Sequence, residues 1–175
     1  MCALAVASGI GACGSSSTTG VSPAAYDKSI CTAVGPFERD IAARAGALDL
    51  TKIKSAAEGK SALQGFLGAI AADTTTAVSE LKGAGTPNVR DGTAIQTAIV
   101  SAFSKLETTL GAAASQAKSL PTGSPQAFKT AATTLGASVK NSMGGISASL
   151  SGLKSPALES AAHKVSACES LNAAG

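Results

Sequence analysis

Hydroxyl–proline pairs recur along this chain, at Ser22-Pro23, Thr86-Pro87, Ser124-Pro125 and Ser155-Pro156. A Ser or Thr oxygen accepts a hydrogen bond from the first turn of a helix. A proline at the first helical position gives up an N–H that has no helical partner there. Each pair therefore predicts a helix start. Between these starts apolar residues return at spacings of three and four, the period of one helix face. Residues 23–45 carry Tyr26, Ile30, Val34, Phe37 and Ile41, with Gly35-Pro36 as a place to kink or split. Residues 50–82 align Ile53, Ala56, Leu63, Leu67, Ile70, Ala77 and Leu81. Residues 88–119 align Ile95, Ile99, Phe103, Leu106, Leu110, Ala113 and Ala117. Residues 125–152 align Phe128, Ala132, Leu135, Val139, Met143, Ile146 and Leu150. A short last helix over 156–171 carries Leu158, Ala162, Val165 and Leu171.

These stripes are narrow, like the seam of a coiled coil, and the intervening segments "GAGTPN" and "LPTGSP" are short. Neighbouring helices should therefore run antiparallel. The expected fold is all-α: an antiparallel up-down bundle of about four long helices plus a short C-terminal helix, in one domain over residues 23–175. Aromatic residues are only 3% of the 175 and Trp is absent, so few large side chains are available to fill gaps. Helix backbones should then lie close, and Gly59, Gly65, Gly68, Gly111, Gly136 and Gly144-Gly145 are read as close-contact points, the alternative being local softness where a ligand could enter. Each costs up to about 1 kcal/mol of helix propensity relative to Ala.

Charge excludes some partners. The formal net charge is +3, and Lys and Arg are scattered singly. No basic run would track a phosphate backbone, so nucleic-acid binding is not expected. The acidic residues are also dispersed and read as solvated faces. Asp27, Lys28, Glu38, Arg39, Asp40 and Arg44 offer local helix pairing. The longest uncharged apolar stretch of the body, "SALQGFLGAIAA" at 61–72, is shorter than the roughly 20 residues a membrane-spanning helix needs.

Residues 1–12, "MCALAVASGIGA", are uncharged and mostly small or apolar, like the core of an export signal. Ile10-Gly11-Ala12-Cys13 resembles the lipobox of bacterial lipoproteins: a branched aliphatic, two small residues, then the cysteine. The next residues, "GSSSTTGVSP", bury little area and read as a solvated tether over 13–22. Together with an Ala/Gly-rich helical body, this pattern resembles the small secreted lipoproteins of high-GC Gram-positive bacteria of the mycobacterial type. The resemblance implies cleavage between Ala12 and Cys13 and lipidation of Cys13 with a diacylglyceryl group carrying palmitate-like chains. It also implies a place on the outer face of the cell membrane. It implies no activity. Gly9-x-Gly11-x-x-Gly14 matches the dinucleotide fingerprint, but it lacks the preceding strand, the following helix and the acidic residue that give that motif its function.

Of the four cysteines, Cys2 would leave with the signal and Cys13 would carry lipid. In an oxidising compartment the remaining pair, Cys31 and Cys168, is expected to form a disulfide. The spacing fits no zinc or redox motif. Other chemistry is sparse. The one histidine, His163, has no second histidine with which to hold zinc, and only Met143 as a conceivable haem partner. Ser79-x-x-Lys82 and Ser151-x-x-Lys154 match the nucleophile motif of penicillin-binding enzymes without its companion S-D-N and K-T-G elements. No E-x-x-H pair supports a di-iron bundle. The sequence therefore predicts a non-enzymatic protein without a cofactor. It would be tethered to the membrane through Cys13 and would engage an envelope protein or wall component. The alternative is a carrier holding a lipid or other apolar molecule within the bundle.

Overall fold

The computed structural model describes residues 20–47 and 53–172. Six helices follow in order among them: α1 Pro23–Ala47, α2 Ala56–Gly83, α3 Gly92–Ala117, α4 Pro125–Leu150, α5 Pro156–Ala162 and α6 Ser166–Asn172. The fold is an all-α up-down bundle, with α1 packed on α2, α2 on α3 and α3 on α4. α2 and α4 touch only sparsely, and α5 and α6 both fold back onto α1.

The serine caps act as their chemistry dictates. Ser22, Ser124 and Ser155 accept from the N–H groups of Ala25, Ala127 and Leu158 at 3.3, 3.4 and 3.5 Å. α2 begins with Ser55 accepting from the Glu58 N–H at 3.2 Å, while the Glu58 carboxylate reaches back to the Lys54 N–H at 2.7 Å. This is close kin to a capping box. α1 runs on through Pro36. The missing proline N–H leaves the Thr32 carbonyl without that helical donor, at a position where Thr32 is exposed.

Thr86-Pro87 departs from expectation and starts no helix. Val21 and Pro87 form an isolated parallel bridge: the Val21 N–H donates to the Thr86 carbonyl at 2.9 Å, and the Asn88 N–H to the Val21 carbonyl at 2.8 Å. A turn must follow before α3 opens at Gly92, behind Asp91 in the left-handed region at φ 59°. Gly92 is required there, since a Cβ would overlap the Pro87 carbonyl. Residues 20–22, read from sequence as the end of the tether, are thereby docked onto the α2–α3 connection.

The core lies where α1, α2, α3 and α4 face one another. Phe37, Ile70, Ala77, Leu106 and Leu110 form one buried cluster, with Phe103 edge-on to Phe37 at 6.1 Å between ring centres. Leu67, Ala113, Ala117, Leu120 and Leu135 form a second. The glycines differ from expectation. A Cβ at Gly65, Gly68, Gly111, Gly136, Gly144 or Gly145 would meet nothing within 4 Å, whereas one at Gly59 would sit 2.7 Å from the Phe128 ring. Of the glycines named from sequence, Gly59 alone is a close-contact point; the rest face open space.

The predicted last helix is two. α5 and α6 are separated by a turn at His163–Val165, tightened by bonds from the Lys164 N–H to the Ala161 carbonyl and from the Val165 N–H to the Ala162 carbonyl. The turn redirects the chain so that the second piece also lies on α1, which an unbroken straight rod would not do.

Candidate functional site

The lipobox, Cys2, Cys13 and the first part of the tether lie outside the described residues. Cys31 on α1 and Cys168 on α6 stand with their sulfurs 1.99 Å apart and their Cα atoms 5.1 Å apart, closing a separation of 137 residues. The bond fastens the C-terminal helices to the first helix. Cys168 is buried and Cys31 partly exposed, beside a small polar groove that Thr32, Arg39 and Ser166 also line.

One turn before Cys31 sits a polar arrangement that no motif signals. Tyr26 is 1% exposed. Its hydroxyl donates to Gln96 Oε1 on α3 at 2.6 Å, and Gln96 Nε2 donates to the Leu81 carbonyl near the end of α2 at 2.7 Å. Three helices are thus tied by two hydrogen bonds around a completely buried Leu81. Burial, and then the neighbouring Asp27, push the Tyr26 hydroxyl up to about 12. The faint signal for this arrangement is the chain's one tyrosine, sitting on the apolar stripe of α1, with a glutamine beside Ile95 on α3.

Asp27 corrects the sequence reading. It is not on a solvated face but 8% exposed, and its Oδ2 is buried without a hydrogen-bond partner. Its carbonyl lies 3.7 Å from Cys168 Sγ, so the returning α6 covers it. Burial raises its carboxyl to about 6. Arg44 pairs across helices rather than within α1, meeting Asp73 of α2 at 3.4 Å.

Residues tested for catalysis stand apart. His163 is exposed at the end of α5, and Met143 is exposed on α4. Ser79 and Lys82 are exposed on α2; Ser151 is exposed and donates to the Ala148 carbonyl at 2.9 Å. Among the described residues no group of three His, Cys, Asp or Glu side chains stands where it could hold a metal ion. No described helix is long and apolar enough to cross a membrane.

Two grooves flank α4. One, of about 620 Å³, lies between α3 and α4 and is lined mainly by Ser104, Lys105, Thr108, Thr109 and Ser142. The other, of about 530 Å³, lies between the amino-terminal halves of α2 and α4, with Ile53, Leu63, Phe128 and Ala132 among its walls. It exists because α2 and α4 flank α3 and barely meet. Compared with known protein families, curated proteins and solved structures, the chain matches none.

Proposed function

We propose that the chain is a non-enzymatic helical module held outside the cytoplasmic membrane through a lipid on Cys13, where it binds an envelope protein or wall component. The observation that supports this most is the Cys31–Cys168 bond. Disulfides persist in oxidising compartments and are rare where thiol reductants prevail, which agrees with the export signal and lipobox resemblance of residues 1–13. The dispersed polar groups of the body offer a surface rather than a reacting centre. Intact-mass analysis of the membrane fraction from the native host tests the proposal. The expected species begins at Cys13, carries acyl mass and gains the mass of two hydrogen atoms when a thiol reductant opens the disulfide. A chain that retains Met1 and stays out of the membrane fraction overturns it. Live-cell crosslinking then identifies what the module touches.

A second reading, a carrier for an apolar molecule, is supported by the 530 Å³ groove between α2 and α4. Its volume falls in the range of ligand sites, roughly 300–1,000 Å³. It is half open, so a guest would lie in a surface cleft rather than within the bundle.

A further inference from the structure

We infer that the α2–α4 groove takes the alkyl chain of a free long-chain carboxylate, with its head group at Lys129. The inference rests on the carrier reading and assigns it an occupant. The walls come from Ile53, Ala62 and Leu63 on one side and from Phe128 and Ala132 on the other. Phe128 can close against α2 because Gly59 has no Cβ to hold its ring away. The groove beside α3 is larger, but Ser104, Thr108, Thr109 and Ser142 contribute hydroxyls and Lys105 an amine to its lining, so it is less apolar than the α2–α4 groove.

The charge at the mouth selects the head group. Among the described residues Lys129 is the one charged residue lining the groove, and Thr133, one turn further along α4, places a hydroxyl on the same face. No carboxylate among the described residues lines it. The nearest in sequence, Glu58, is engaged by the Lys54 N–H. A carboxylate is favoured here and a cationic head is not.

Calorimetric titration of the full chain with dodecanoate and with dodecanol separates the claims. The expected result is binding at one site, weaker for the alcohol. Lys129→Glu, a change at an exposed position, should weaken dodecanoate by about fivefold at low salt with little effect on the alcohol. Ala132→Phe should fill the cleft and reduce binding of both more than tenfold. Circular dichroism and the oxidised mass report whether that variant is folded, and Ala62→Phe repeats the block from the opposite wall. Equal binding of acid and alcohol, unchanged by Lys129→Glu, overturns the head-group assignment while leaving a carrier. Binding that survives both Phe variants overturns the location. Failure of both ligands to bind a folded, oxidised chain overturns the inference and the carrier reading together.

Discussion

α1 and α4 have the same kind of sequence and nearly the same length, 25 and 26 residues, yet they are buried differently. α1 is held on three sides: by α2, by the disulfide-fastened α5 and α6, and by the Tyr26–Gln96 hydrogen bond to α3. α4 rests mainly on α3. Of its seven stripe residues Leu135 is buried, while Phe128, Val139 and Ile146 are half-buried and Met143 is exposed. An amphipathic stripe states which face would be buried, not how much will cover it. Cover is supplied by other parts of the chain, and α4 has fewer of them. Local opening should therefore begin in α4, with α1 opening only as the whole fold does.

The sharpest way to break that comparison is to cut the staple. Cys31→Ser with Cys168→Ser opens a loop with a sequence separation of 137 residues. On the chain-entropy model the loss is about 4–5 kcal/mol. Denaturant unfolding should register it, and hydrogen exchange should rise first in α5, α6 and α1. If α4 remains the first to exchange by the same margin, the staple is not what separates the two helices. A smaller loss, about 2–5 kcal/mol, is expected for Leu81→Ala at the fully buried centre of the three-helix tie. Met143→Ala on α4, 43% exposed in the folded chain, should fall within about 0.5 kcal/mol of the parent.

Asp27 sharpens the comparison through pH. Its carboxyl is raised from 3.8 to about 6 by burial. The folded chain therefore binds this proton more tightly than the unfolded chain does. That contribution is fully present below about pH 4 and is lost as pH rises through about 6. The native protein should lose stability across this window. Asp27→Asn should flatten the profile and raise stability at pH 7. An unchanged slope in the variant would place the titration elsewhere.

What the sequence disclosed follows from how local each feature is. The stripes of α2 and α3 are local, and Leu67, Ile70, Leu81, Leu106 and Leu110 are buried as their spacing requires. The caps at Ser22, Ser124 and Ser155 are local too. Thr86-Pro87 has the same local form, but its use is decided by Val21, more than sixty positions earlier, which claims the Thr86 carbonyl. Asp27 lies beside Lys28 in sequence and looks solvated; it is covered because α6 returns to Cys31 from the far end of the chain. The cleft was only half legible. Leu63 and Phe128 stood on their stripes, whereas the gap between them depends on α2 and α4 failing to meet across α3.

The glycines carry the smallest effect and the finest test. A helical glycine looks the same in sequence whether it admits a neighbour or faces solvent. The structure separates the two cases. Gly136 and Gly144 on α4 face open space, so Ala at either position gains helix propensity and meets nothing. Each should stabilise by about 0.5–1 kcal/mol. At Gly59 the same propensity gain is opposed by a methyl group 2.7 Å from the Phe128 ring. Overpacking costs roughly 1–3 kcal/mol, reduced here because Phe128 is half-buried and its ring can swing outward. Gly59→Ala should therefore be neutral to destabilising, and thermal unfolding of the three variants should give two upward shifts and one that is flat or downward. Three equal upward shifts would mean that Phe128 does not lean on α2. The wall of the cleft would then be missing, and α4 would be looser than even its exposed stripe implies.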